Sequence, residues 1–286
     1  YDPERHKDLA ATFGGLDPGV CSLAYLSWTL WMLGYPDLAL KKADEAQPLA
    51  EHVANLYTQT RALYWDSLLR QFTGQWDVLR ERIDLAISMA TEHGFALVLG
   101  AGSIMRGWAL VAQGEVDEGI KLIRQGLERY RTTGAEVQLP HLLTPLIEAY
   151  KEIEQPEEGL NTLAEAQALV EKTGERYYEA ELQRLKGELL LTQSSDDSAE
   201  AETCFHRALE IARDQQAKSL ELRTATSLAR LWQRQGKEDD ALRLLNDVFG
   251  WFTDGFDTAD LQEARGLLDE LGASKSVNAN GAQAAE

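Results

Sequence analysis

The chain has 286 residues, of which 44% are hydrophobic and 8% aromatic, so it is long enough to bury a large core. Its 28 lysines and arginines stand against 47 aspartates and glutamates, and the formal net charge of −19 disfavours direct binding of nucleic acid or of anionic lipid surfaces. No apolar run reaches about 18 residues, and Cys21 and Cys204 lie far apart. We therefore predict no membrane segment and no disulfide framework, and we expect a cytoplasmic protein.

Glycines recur in two series, each with a spacing of 40 residues and displaced from the other by half a repeat. The series are Gly34, Gly74 and Gly114, and Gly94, Gly134 and Gly174. Two turn signals per period, each between amphipathic stretches, are typical of stacked helix hairpins. The spacing predicts an all-α fold of about six hairpins with one continuous apolar core.

Apolar residues at helical spacing place the helices between these turns. Val116, Ile120, Ile123 and Leu127 follow steps of 4, 3 and 4 and form one buried face. First helices are predicted at about 20–33, 55–72, 96–113, 136–152, 175–192 and 217–235. Second helices are predicted at about 37–52, 76–93, 116–132, 156–173, 197–214 and 238–252.

Glycine and proline inside the predicted helices have separate meanings. Gly107, Gly119 and Gly159 lie within helices, where glycine is unfavourable by up to about 1 kcal/mol, so we expect neighbouring backbones to approach closely there. Pro145 falls within the fourth first helix and should kink it or move its start later.

The two ends of the chain differ from the repeats. Residues 1–14 are interpreted as the remnant of a preceding helix, and residues 257–271 as a capping helix over the last pair. Residues 272–286 have little to bury and are predicted to be a disordered tail. The whole of 1–271 is expected to be one elongated domain.

Sequence motifs for catalysis, cofactor binding or metal binding are weak in this chain. The stretch FALVLGAGSIMRG from Phe95 resembles a strand with a glycine-rich turn, but Gly107 comes two residues too late for a dinucleotide fingerprint and the stretch keeps the register of the first helices. The five histidines form no metal-binding motif. We expect no cofactor, no metal and no catalytic residue.

One constellation on the first helices suggests a binding groove. Asp66, Arg106 and Lys186 share one helical phase at multiples of 40 residues, and the adjacent column contains Tyr25 and Trp65. If first helices line the concave side, these side chains form a ladder for a peptide or a small polar ligand. The alternative is that the polar column is an inter-helix network and the aromatic residues are core. The other candidates, with the same two interpretations, are Trp28, Trp108 and His141.

Several longer stretches resemble a known class of protein region. They include DPGVCSLAYLSWTLWMLGYPDLAL, SLELRTATSLARLW and GWFTDGFDTADLQEA, and they are similar to the C-terminal tetratricopeptide region of bacterial regulators. In those regulators a class III adenylate or guanylate cyclase domain, or a DNA-binding domain, precedes an AAA/STAND-type ATPase. The resemblance implies a right-handed α-α superhelix of tetratricopeptide-like hairpins, similar to the maltose-regulator type, with a capping helix at its end.

The resemblance also implies a non-catalytic arm. Its partners would be a protein or peptide, the protein's own ATPase or cyclase domains, or a small effector in the concave groove. Two other interpretations stay open: an α/α toroid hydrolase that uses paired carboxylates, and a purely structural oligomerisation arm.

Overall fold

The computed structural model of the chain describes residues 1–194 and 198–283, and the regular elements among them are all helical. In chain order the helices are α1 (Pro3–His6), α2 (Pro18–Met32), α3 (Pro36–Val53), α4 (Leu56–Phe72), α5 (Trp76–His93), α6 (Ala96–Ala112), α7 (Val116–Thr132), α8 (Leu139–Leu142), α9 (Thr144–Glu152), α10 (Pro156–Thr173), α11 (Glu179–Gln193), α12 (Ser198–Asp214), α13 (Lys218–Arg234), α14 (Glu238–Phe249) and α15 (Ala259–Gln283). First and second helices alternate along the chain as predicted, giving six successive pairs followed by α15.

The chain forms two compact units. The first comprises Tyr1–Trp31 and Pro36–Tyr178, and the second comprises Met32–Tyr35 and Glu179–Glu286. The core of the second unit is apolar and is built by α11 to α15, with Phe205 and Leu245 among its fully buried side chains. The expectation of one domain over 1–271 stays a prediction.

The turns between helices confirm the glycine spacing. The glycines of both series have positive φ angles, for example 87° at Gly34 and 74° at Gly174, and so occupy the left-handed region that ends a helix. Where the same turn lacks glycine, the left-handed residue is Ala54, Glu154 or Gln216, with φ between 54° and 56°. The backbone repeat is therefore more regular than the sequence repeat.

Helices α6 and α7 cross with almost no side chain between them. A methyl group on Gly119 would lie 2.8 Å from the carbonyl oxygen of Gly107 and 2.6 Å from Cγ2 of Val111. A methyl group on Gly107 would in turn lie 2.8 Å from the carbonyl oxygen of Gly119. The predicted close approach at these two glycines is confirmed.

The fourth first helix departs from the continuous span 136–152. It consists of α8 and α9, separated at Leu143, and Pro145 occupies the first turn of α9, where its missing N–H needs no partner. The predicted later start is therefore confirmed. The next first helix, expected from 175, begins at Glu179, because residues just before it make turn contacts with α8 instead.

The last helix is longer than the predicted cap. It begins at Ala259 and runs to Gln283, and it buries Leu261, Ala264 and Leu267 against the second unit's core. The helix therefore continues beyond the expected end at Leu271 into the segment for which we predicted disorder, in which alanine favours helix. Residues 284–286 lie outside the described part of the chain.

Candidate binding face of the first unit

Helix α4 is buried along almost its whole length, polar side chains included. Its buried residues include Arg61, Asp66, Arg70 and Gln71, and the hydroxyl of Thr60 donates to the carbonyl of Leu56. A helix that is buried on all sides needs partners for its polar groups, because each unpaired buried group is unfavourable by about 1–3 kcal/mol. The contacts of these groups therefore show what each face of α4 does.

One face of α4 carries an aromatic group next to α2, which we call the Tyr25 cluster and define as Tyr25, Trp28, Arg61 and Trp65. The Tyr25 ring lies 5.5 Å from the Trp28 ring and 5.9 Å from the Trp65 ring. The indole N–H of Trp28 donates to the backbone carbonyl of Trp65 at 3.1 Å. Tyr25 is 52% exposed and Trp65 only 2%. The cluster therefore extends from the surface into the unit, and three of its members were candidates from the sequence.

Arg61 is the member of the Tyr25 cluster that the sequence analysis missed. Its guanidinium carbon lies 4.7 Å from the Trp65 ring and 5.4 Å from the Tyr64 ring. A signal was present, since the positions 40 residues before and after it are Cys21 and Ala101, which are uncharged. The signal is therefore a charge that neither neighbouring repeat carries at this position.

The opposite side of α4 holds an ionic network around Asp66. The Asp66 carboxylate lies 3.0 Å from Nε of Arg70 and 3.4 Å from Nε of Arg82 on α5. Arg70 also reaches Asp44 on α3 at 2.6 Å. Burial raises the pKa of Asp66, and the neighbouring arginines oppose that shift. These contacts favour the interpretation of Asp66 as part of an inter-helix network.

The other two members of the polar column also pair with second helices. Arg106 is exposed on α6, and its Nε lies 3.3 Å from Asp84 on α5. In the second unit, Nζ of Lys186 on α11 lies 3.5 Å from Glu200 on α12. The column therefore supplies three separate cross-links between helices, and its role in ligand binding stays a prediction.

Trp108 and His141 belong to a separate aromatic core. His141 is 1% exposed, its ring lies 4.4 Å from that of Tyr178, and its Nδ1 lies 3.0 Å from the Tyr177 hydroxyl. The indole N–H of Trp108 donates to Oε2 of Glu148 at 2.6 Å. Both side chains are buried with partners, which favours packing as their role.

The half-buried carboxylate of Glu175 contacts the turn that precedes α8. The backbone N–H of Gln138 donates to both carboxylate oxygens of Glu175 at 2.9 Å, and the Tyr64 hydroxyl donates to Oε1 of Gln138 at 3.3 Å. Burial raises the pKa of Glu175, while the Gln138 N–H opposes the shift. This arrangement anchors the turn to α4.

The described residues contain neither a metal-binding cluster nor a helix that could span a membrane. Across residues 1–194 and 198–283, no group of three or more histidine, cysteine, aspartate or glutamate side chains is placed to hold a metal ion. In the same residues, each helix is either too short or too polar to cross a bilayer.

Comparison with known proteins identifies the class of fold. A Rap protein complexed with competence and sporulation factor superimposes with a TM-score of 0.62 at 12% identity, over 90% of this chain and 75% of that one. Aspartyl phosphate phosphatase F from Bacillus subtilis gives 0.58 at 13% identity, over 85% and 63%. A STAND protein with a tetratricopeptide repeat sensor from Pyrococcus horikoshii gives 0.52 at 11% identity, over 96% and 41%. The chain thus has a helical-repeat fold of the tetratricopeptide type.

The sequence comparisons are more limited. No family model matches the chain. An uncharacterized protein of Rhizobium meliloti (strain 1021) is 24% identical over 231 residues, which are 81% of this chain and 22% of that protein. The chain therefore spans about a fifth of the length of the curated relative that it matches.

Proposed function

We propose that this chain is a non-catalytic protein- or peptide-binding module of a larger cytoplasmic signalling regulator. The observation that carries the proposal is the Tyr25 cluster. Tyrosine, tryptophan and arginine are the residues that most often dominate binding energy at interfaces, and here they form a continuous path from exposed Tyr25 to buried Trp65.

The comparisons support the same class of function. One similar structure is a Rap protein in complex with competence and sporulation factor, and another is a STAND protein whose repeat region is called a sensor. The resemblance to the repeat arms of cyclase and ATPase regulators adds the signalling context. Binding of a protein, a peptide or a small effector would then bias the docking of the arm on its neighbouring domains, which requires a free-energy difference of only a few kcal/mol.

The proposal is tested by selecting peptides on the purified chain from a displayed random library and measuring their affinities for three proteins. These are the wild type, Tyr25→Ala, and the control Leu85→Ala, whose side chain is 50% exposed on α5, outside the Tyr25 cluster. We expect Tyr25→Ala to weaken the selected peptides at least about tenfold, as removal of a hot-spot side chain does, and Leu85→Ala to leave them unchanged. If no selected peptide distinguishes the variants, the Tyr25 cluster is not the binding face.

A further inference from the structure

Arg61 is a buried cation whose charge the described residues leave uncompensated. Only 7% of the residue is exposed, and its Nε is buried without a hydrogen-bond acceptor. Among residues 1–194 and 198–283, no carboxylate forms an ion pair with it. Burying a charge without a partner is strongly unfavourable, so such a group is seldom found without a ligand or a function.

The same arginine is nevertheless held firmly in place. Its guanidinium group lies over the rings of Trp65 and Tyr64, and cation–π contact of this kind stabilises the charge without using its N–H donors. The indole Nε1 of Trp65 is a second buried donor without an acceptor. Two neighbouring side chains therefore have buried N–H donors for which the described part of the chain, residues 1–194 and 198–283, supplies no acceptor.

The second unit shows what this type of helix face looks like when its arginines are structural. Arg184 on α11 lies 2.8 Å from Glu181 and 3.4 Å from Glu188. Arg223 on α13 lies 2.8 Å from Asp260 on α15. There carboxylates lie three residues before, four residues after and 37 residues after the arginines, whereas at those distances from Arg61 the sequence has Thr58, Trp65 and Val98, which are uncharged.

Side-chain contacts connect Arg61 to an exposed residue of α2. Tyr25 is 52% exposed and contacts Trp65, whose ring carries the guanidinium of Arg61. Burial raises the pKa of Cys21 to about 11, and the positive charge of Arg61 opposes that shift, which indicates that the charge is felt at α2. Arg61 is therefore separated from the exposed ring of Tyr25 by one aromatic side chain, that of Trp65.

We propose that Arg61, together with the indole N–H of Trp65, receives a carboxylate of the bound peptide. The planar guanidinium fork matches a carboxylate in a bidentate geometry, which an ammonium group does not. A carboxylate monoanion is favoured over a phosphate dianion because the chain carries a net charge of −19. This inference rests on the proposed function and adds the chemical group that the module recognises.

The test follows the Nε–H signal of Arg61 in the full chain by NMR, assigned as the signal that disappears in Arg61→Lys and in Arg61→Gln. The probes are N-acetyl-leucine, its uncharged analogue N-acetyl-leucinamide, and inorganic phosphate. We expect N-acetyl-leucine to shift the signal saturably and at lower concentration than phosphate, and the amide to leave it unshifted. The matched control is Arg80→Gln, which removes an exposed arginine of α5 that pairs with Asp77 on the same helix and should leave the titration unchanged.

Two variants of Arg61 distinguish the effect of its positive charge from the effect of its planar guanidinium group. Arg61→Lys keeps the positive charge but removes the fork, so we expect at least about tenfold weaker binding of N-acetyl-leucine, measured by calorimetry. Arg61→Gln should abolish this binding while its melting temperature stays the same or rises, because an unpaired buried charge has been removed. If Arg61→Gln does not fold, Arg61→Lys and the wild-type NMR titration still decide the question.

Three results overturn the inference: an Arg61 signal that no probe shifts, equal affinity of Arg61→Gln and wild type for N-acetyl-leucine, or tighter binding of phosphate than of N-acetyl-leucine. The first two leave the proposed function standing if library-selected peptides still depend on Tyr25. If those peptides show no dependence on Tyr25 while N-acetyl-leucine binds at Arg61, the carboxylate site stands and the wider binding face does not.

Discussion

The carboxylate of Asp66 lies 3.0 Å from Nε of Arg70, one helical turn later on α4, and the two side chains are 2% and 10% exposed. An ion pair at this depth is strongly coupled to folding, since removing one partner leaves the other charge buried. Asp44 and Arg82 extend the pair to the helices on either side. The Asp66–Arg70 pair thus links three helices of the first unit, α3, α4 and α5.

Replacing Asp66 with Ala should destabilise the protein by about 3 kcal/mol, because Arg70 and Arg82 lose the buried oxygens that face them as well as the counter-charge. Urea unfolding at neutral pH measures the change. The control is Asp84→Ala, which breaks the half-exposed pair with Arg106 and should change the free energy of unfolding by less than about 1 kcal/mol. Similar small effects for both variants would show that Asp66 is not a structural residue.

Two glycine-to-alanine substitutions should change the stability in opposite directions, because only one of them lies at the crossing of α6 and α7. Gly119→Ala places a methyl group 2.8 Å from the carbonyl oxygen of Gly107, so the helices must separate, and we expect a loss of about 1–3 kcal/mol. Gly266→Ala on α15 meets no atom within 4 Å and should stabilise its helix by up to about 1 kcal/mol. Thermal unfolding of both variants checks the signs, and a stabilised Gly119→Ala would contradict the close approach.

The turns without glycine offer a stabilising change. Gln216 has a φ of 56°, a conformation that is unfavourable for a residue with a Cβ by about 1–2 kcal/mol. Gln216→Gly relieves this strain, and after the extra entropy of glycine in the unfolded chain we expect a net gain of about 0.5–1 kcal/mol. The melting temperature should rise. The matched change in the opposite direction, Gly236→Ala at a φ of 74° with no atom within 4 Å, should lower it.

The raised pKa of Glu175 predicts how the stability of the protein changes with pH. Because burial raises its pKa above the ordinary 4.5, the folded protein holds that proton more tightly than the unfolded chain. Its favourable contribution is present below the unfolded pKa and is lost as the pH rises through the raised value. Relative to Glu175→Gln, the wild type should therefore lose stability as the pH rises above about 4.5, measured by urea unfolding. A difference that grows in favour of the wild type over this range would reverse the sign and refute the assignment.

Much of the site was accessible from the sequence, but its key residue was not. Tyr25 and Trp65 were candidates because they share one helical phase, Trp28 was a separate candidate, and Tyr25 contacts both tryptophans. Arg61 was missed because one helical phase alone does not show whether a charge has a partner. The polar column stays a prediction, and two of its members, Asp66 and Arg106, face charges on α5, which lie outside the column.

The amino-acid sequence alone determined the repeat, the helical class and the positions of the turns, because these follow from local periodicity and from the tolerance of glycine for the left-handed region. Tertiary structure decided which polar groups found partners, since two residues at the same repeat position meet different neighbours when the adjacent helices carry different side chains. Arg223 meets Asp260, whereas Arg61 meets only aromatic rings. The energy of a buried charge depends on what lies within a few ångströms of it, and that is a property of packing rather than of spacing along the chain.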